Sequence, residues 1–306
     1  MKSPKKLLFT AFVGVGSLSF LFSIADAGTK RVSCSSSKTL NLAIANLKPG
    51  DTLLVSGTCN ENVVIGSELS RITLDGQGTA TINGPNPAAN TIVVRGSNIT
   101  IRGFTITGGS RGIQVSRGAE ATIDENTIQF TGGQGIQVFN GSSARILNNT
   151  IQNNPEHGIF VVGTSVADIG VTSNDQTVPD TNTIQNNGGD GIQVSRGSSA
   201  RIMGNVISNN ASDGIFVDSN SVADTASNII NSNGDNGINV LRNSSVRLGR
   251  DGGMTLTTAP NSTTANNTGN GVRCRINGAV DGQVGTLDGN AGAVSIAGGC
   301  TDSTIP

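Results

Sequence analysis

An internal repeat constrains this chain more than any other feature. A Gly-Ile-x-Val motif, with relaxed forms, begins at Gly112, Gly135, Gly158, Gly191, Gly214, Gly237 and Gly271, in steps of 23, 23, 33, 23, 23 and 34 residues. The two long steps are the same unit with 10 and 11 residues inserted. Stacking the units aligns two further patterns: small-x-aliphatic (Ala121 to Ile123, Ala144 to Ile146, Ala167 to Ile169, Ala200 to Ile202) and Asn-x-Ile (Asn126 to Ile128, Asn149 to Ile151, Asn182 to Ile184). Within each run the apolar residues lie two apart, which is strand periodicity with one face buried. Three short strands per 23 residues, joined by Gly, Asn and Ser turns, make one coil of a solenoid. Its few aliphatics cannot offset the backbone entropy of ordering one coil in isolation. Stability must come from stacking, each strand bonding its copies about 4.8 Å above and below.

Composition fits this reading. The 306 residues include 42 Gly and no Trp or Tyr, and the 35% hydrophobic fraction is mostly Ile, Val, Ala and Leu. The missing large aromatics imply an interior wide enough only for stacked Ile, Val and Ala. Twenty basic residues against 21 acidic ones, with 13% charged overall, exclude a nucleic-acid binder, which needs a basic stripe and stacking aromatics. The expected class is all-β, a single-stranded parallel solenoid.

The first 27 residues read as a secretory signal. Lys2, Lys5 and Lys6 precede an uncharged apolar stretch from Leu7 to Ile24, and Ala25-Asp26-Ala27 supplies the small residues of a cleavage site after Ala27. The expected location is secreted, extracellular or periplasmic, with no membrane association after cleavage. Four cysteines in an oxidising compartment form an even set, and the local pairing is Cys34 with Cys59 and Cys274 with Cys300. The expected organisation is a signal at 1–27, an N-terminal cap at 28–66, the solenoid at 67–300 and a tail at 301–306.

The segments NNTIQNNPEHGIFV (148–161), NTIQNNGGDGIQV (182–194) and NVISNNASDGIFV (205–217) resemble the right-handed parallel β-helix repeat proteins of the pectin-lyase-like superfamily. LNLAIANLKPGDTLLVSGTCNENVVI (40–65) is similar to the entry of such proteins, with Leu40, Ala43, Ile44 and Leu47 at helical spacing, a short capping helix over the first coil. The resemblance covers roughly 40 to 300 and implies a right-handed parallel β-helix. That fold hosts lyases, hydrolases, esterases, epimerases and binding proteins, so it implies no single activity.

Arg145, Asp168, Arg201, Asp224 and Arg247 occupy one column, on successive coils, and alternate in sign. Such neighbours attract by roughly 0.2 to 1 kcal/mol per pair and cancel any field that would hold a polyelectrolyte. Residues 135–169 match 191–225, so a two-coil unit is duplicated. A second column, Asn126, Asn149, Asn182, Asn205 and Asn228, suits turn residues in left-handed conformation whose amides bond from coil to coil. The insertions at Gly170 to Thr181 and near Gly249 to Asn261 both follow the second strand and project from one side.

Candidate chemistry centres on the single histidine. His157 stands in the column before the repeat motif with Arg111, Gln134, Asp190, Asp213 and Asn236, which places it beside Asp190, and Asp190 beside Asp213. A histidine next to two carboxylates can act as a general base, and close carboxylates raise one pKa. The same column also reads as polar turn residues facing water. Asp190, Asp213 and Asp218 with turn carbonyls form a set that Ca²⁺ can use, although no cofactor is required. The outward positions Gln137, Phe160, Gln193 and Phe216 offer amides and apolar faces to sugar rings, and Arg196 at a strand exit suits an anionic sugar.

The related polygalacturonases carry hydrolysis on an Asp pair and a Gly-His-Gly segment. Here the corresponding segment is Glu156-His157-Gly158, and there is no Asp-Asp dipeptide. Alginate-epimerase-like members use Asp-Pro-His, which Pro155-Glu156-His157 resembles only loosely. After the signal the lysines are Lys30, Lys38 and Lys48, all before the repeats, which removes a Lys or Tyr base. Two readings follow: a secreted protein that binds or processes a polysaccharide as a lyase or hydrolase, and a non-catalytic surface or adhesion solenoid.

Overall fold

A computed structural model describes residues 27–34, 39–171, 178–249 and 259–305. The chain is an all-β parallel solenoid with about 23 residues per turn. The Gly-Ile-x-Val strands form a ten-stranded parallel sheet from Val63–Ile65 to Val294–Ile296. The second and third strands of each coil belong to a seventeen-stranded sheet that bends round the other sides. Pairing is in register, Ile136 with Ile159 and Ile159 with Ile192, so each apolar position stacks on its own kind. The parallel ladder already includes Thr29–Cys34, paired with Thr52–Asn60, and continues into Thr301–Ile305, so strands lie on both sides of the expected 67–300 boundaries. The signal segment and the tips of both insertions (172–177 and 250–258) lie outside the described residues.

The interior is one continuous apolar column in which Ile113, Ile136, Ile159, Ile192, Ile215 and Ile238 are fully buried. Among the described residues it also holds one aromatic, which corrects the expectation of an interior limited to Ile, Val and Ala. Phe104 is 2% exposed and sits where Gly76 leaves room, since a Cβ on Gly76 would lie 2.6 Å from the ring. The glycine that opens each repeat has a different cause. A Cβ on Gly158 would lie 2.6 Å from Ile184 Cγ2 and 2.7 Å from the carbonyl of Gly191 on the next coil.

Polar ladders close the corners. Backbone N–H groups of Asn126, Asn149, Asn182, Asn205 and Asn228 donate to the side-chain oxygen of the next asparagine in the series, ending at Asn261, over 2.9 to 3.3 Å. These asparagines are buried and are not themselves left-handed; for Asn126, Asn149, Asn205 and Asn228 the positive φ falls one residue earlier, at Glu125, Asn148, Gly204 and Ser227. The preceding residue makes the turn, which frees the asparagine to point inward. A second ladder, missed in the sequence reading although Asn-Asn pairs signal it, runs through Thr131, Asn154, Asn187, Asn210, Asn233 and Asn267. A third runs through Ser142, Ser165, Ser198, Ser221 and Ser244.

Both disulfides pair as expected, Cys34 with Cys59 and Cys274 with Cys300. A short helix, Thr39–Ile44, stands between the first two strands, with Leu40 and Ile44 in the core. Glu61 holds its start, accepting the Leu40 N–H at 2.8 Å and the Asn41 N–H at 3.1 Å.

Candidate functional site

The column preceding the repeat glycine lies at the corner where the third strand turns into the first. From His157 upward it is another ladder, in the opposite sense to the asparagine ones. The Asp190 N–H donates to His157 Nδ1 at 3.0 Å, the Asp213 N–H to Asp190 Oδ1 at 3.0 Å, the Asn236 N–H to Asp213 Oδ1 at 2.9 Å, and the Asn270 N–H to Asn236 Oδ1 at 3.0 Å. Below, Arg111 donates to Gln134 and Gln134 to Glu156. The structure thus brings His157, Asp190 and Asp213 together as the sequence suggests, and gives each a place in the corner scaffold.

Depth separates the three. Asp190 and Asp213 are each 4% exposed, while the His157 side chain is 24% exposed and its ring centroid lies 5.4 Å from that of Phe160. Burial pushes the Asp213 carboxyl up to about 6, Asn239 opposes the rise through a hydrogen bond, and the Asp190 charge adds to it. Asp213 Oδ2 accepts from Asn239 Nδ2 at 2.8 Å, and Oδ1 also accepts from Asn236 Nδ2. His157 Nδ1 has two alternatives. Unprotonated, it accepts the Asp190 amide; protonated, it donates to Asp190 Oδ2, 3.3 Å away. The second state leaves the lone pair of neutral histidine on Nε2, which is the tautomer a general base requires, with a carboxylate behind it.

The outward face of the first strands is less open than expected. Gln137 is 7% exposed and accepts from Gln114 Nε2 at 2.7 Å, whereas Phe160, Gln193 and Phe216 are half-buried. Arg196 is exposed in a left-handed turn with φ 57°, an arrangement that Arg117 and Arg242 share. Asp218 turns to Arg242 at 2.9 Å through Oδ2. Among the described residues no group of three or more His, Cys, Asp or Glu is arranged to hold a metal ion.

The charge column is as regular as the repeat. Arg145, Asp168, Arg201, Asp224 and Arg247 stand in register on successive strands, and Asp281 continues the alternation beyond the second insertion. Arg247 grips Asp224 through two bonds of 2.6 and 2.7 Å, and Arg201 lies 3.5 Å from Asp168.

An 81-residue segment is 36% identical to a cell surface glycoprotein of Methanothermus fervidus, covering 26% of this chain and 13% of that protein's length. Pectate lyase Pel9A superposes with a TM-score of 0.56 at 12% identity, over 93% of this chain and 80% of its own. The A-module of the Azotobacter vinelandii mannuronan C-5 epimerase AlgE4 superposes at 0.52 with 16% identity, over 91% and 85%. At such identities the likeness is one of fold. Residues 31–178 and 166–251, more than half of the chain, match the right handed beta helix region, and the protein belongs to that family.

Proposed function

We propose that this protein is secreted and binds or processes a polysaccharide along the first-strand face, with His157 as the group that meets the sugar. The observation that carries this reading is the pairing of the partly exposed His157 with the buried Asp190 carboxylate, beside the ring of Phe160. A buried carboxylate 3.3 Å from a ring nitrogen orients the imidazole. Nε2 then takes a proton, in a lyase from a sugar carbon as the glycosidic C–O bond β to it breaks and in a hydrolase from the attacking water, and the departing sugar oxygen is protonated from solvent; Asp190 acts as a positioning residue and Asp213 supplies a carboxyl next to it. Gln193, Phe160 and Phe216 line the approach, and Arg196 meets an anionic sugar. No step requires a metal. The fold shared with a pectate lyase and an epimerase module supports carbohydrate contact. In the same reading the Thr39–Ile44 helix is a lid on the N-terminal coil.

A screen of uronate-rich and neutral polysaccharides against wild type and His157→Ala tests this. Turnover or binding by wild type that falls in the variant supports it; no turnover and no binding by wild type refutes it. The second reading, a non-catalytic surface solenoid, is favoured by the likeness to a cell surface glycoprotein and by the scaffold role of the column. Binding without turnover, unchanged in His157→Ala, would select it.

A further inference from the structure

The outward face of the second strands carries two columns, and both alternate. One is the Arg145, Asp168, Arg201, Asp224, Arg247, Asp281 series; the other, two residues earlier, reads Ser143, Val166, Ser199, Val222, Ser245, Ala279. The alternations are locked together, so arginine coils carry serine and aspartate coils carry valine, with Ala279 standing in beside Asp281. Val166 and Val222 are each 48% exposed and stand out as knobs. Between them at Ser199 lies a groove of about 220 Å³ lined by Asp168, Arg201, Val222 and Arg247, and a smaller one of about 60 Å³ lies at Ser143. Knobs and holes therefore repeat every two coils, about 9.6 Å, in step with the charges.

We propose that this face docks on the same face of a second copy of the chain. A two-fold axis parallel to the strands, midway between the Ser199 and Val222 coils, runs the two solenoids antiparallel. It keeps each column opposite its own counterpart and sets every arginine coil against an aspartate coil. Val222 then enters the partner hole at Ser199, and Val166 faces Ser245. Arg201 faces Asp224, Asp168 faces Arg247, and Arg145 faces Asp281. One operator satisfies shape and charge together because the two columns share a period; an axis along the solenoid would set like against like. The intramolecular ladder stays intact, since each charge keeps its neighbours and gains one across the interface. Six coils of one narrow face bury about 400 Å² per copy, which is small, so the dimer is weak and dissociates on dilution.

Sedimentation over a concentration series reaching about 1 mM reads the proposal directly. Wild type is expected to pass from monomer to dimer. Ser199→Val fills the hole and opposes valine to valine, weakening association about tenfold or more with an unchanged thermal midpoint. Val222→Ser, which leaves two holes facing, weakens it as well. The double exchange Ser199→Val with Val222→Ser restores a knob opposite a hole and so restores association, which no general effect on folding produces. Wild type that stays monomeric throughout, a single variant that associates like wild type, or a double variant that fails to recover would each overturn the proposal.

Discussion

Asn182→Ala tests whether the buried asparagine column holds the solenoid together. The Asn182 side chain is fully buried and makes four ladder hydrogen bonds. Its Nδ2 donates to the Ile146 carbonyl and to Asn205 Oδ1, both at 2.8 Å, and its Oδ1 accepts the Asn149 N–H at 2.9 Å and Asn149 Nδ2 at 3.0 Å. Alternative partners remain for most of these atoms. Asn149 Nδ2 keeps the carbonyls of Ile123 and Leu147, Asn205 Oδ1 keeps the Asn182 N–H, and the Ile146 carbonyl keeps the Gly170 N–H. The Asn149 N–H loses its acceptor in a site closed to water. Four bonds at about 1 kcal/mol each, one of them leaving a buried donor orphaned, give a loss of about 4 kcal/mol. Guanidinium unfolding followed by circular dichroism measures it, and hydrogen exchange should show the Asn149 amide as the most deprotected group. Thr181→Ala, next door but exposed and outside the left-handed region, should cost less than about 0.5 kcal/mol. A loss below about 1 kcal/mol for Asn182→Ala, or one no larger than the control, would refute the reasoning.

Three further outcomes follow from the same geometry. The Asp213 carboxyl is raised from 3.8 to about 6, so its proton stabilises the fold fully below pH 3.8 and that contribution is lost as pH rises through 6. Against Asp213→Asn, wild type should lose about 2 kcal/mol between pH 4 and 7, measured by unfolding at each pH; a constant difference between the two would contradict the burial argument. Gly158→Ala should destabilise by about 2 to 3 kcal/mol, because the new methyl meets backbone of the next coil, and a neutral result in thermal melts would mean that the coils can separate. Breaking Cys274–Cys300 by substituting serine at both positions should cost about 3 kcal/mol, with the new exchange confined to the C-terminal coils; uniform loss of protection along the solenoid would contradict nearest-neighbour stacking.

Much of the fold is legible in the sequence because stacking forces like onto like. The spacing of Gly112, Gly135 and Gly158 reports the coil length directly, and the ten-stranded sheet follows it strand for strand. Local spacing also identified the two disulfides. What was not legible depends on direction rather than on spacing. The left-handed residue falls before the ladder asparagine, a matter of which way the turn bends. Phe104 enters the core through space opened by Gly76, on a separate strand. Asp281 joins the charge column only once the second insertion is bridged.

The candidate site divides in the same way. Its members are neighbours by register, so His157, Asp190 and Asp213 could be placed together. Their hydrogen bonds to backbone amides of the adjacent coil, which set their depth, carry no mark in residue identity. Gln137 reads as an outward binding amide, yet it is buried against Gln114. Asp218, grouped with Asp190 and Asp213 by sequence, is drawn instead to Arg242.

The central claim is that carbohydrate meets the first-strand face and not the charge column. Titrating a polysaccharide selected in the screen into wild type, Phe160→Ala, Gln193→Ala and Arg247→Ala by calorimetry separates the two surfaces. Phe160→Ala and Gln193→Ala are each expected to weaken binding about tenfold, the loss of one good contact, while Arg247→Ala binds like wild type. Unchanged affinity in the first two variants, or a loss confined to Arg247→Ala, would contradict it.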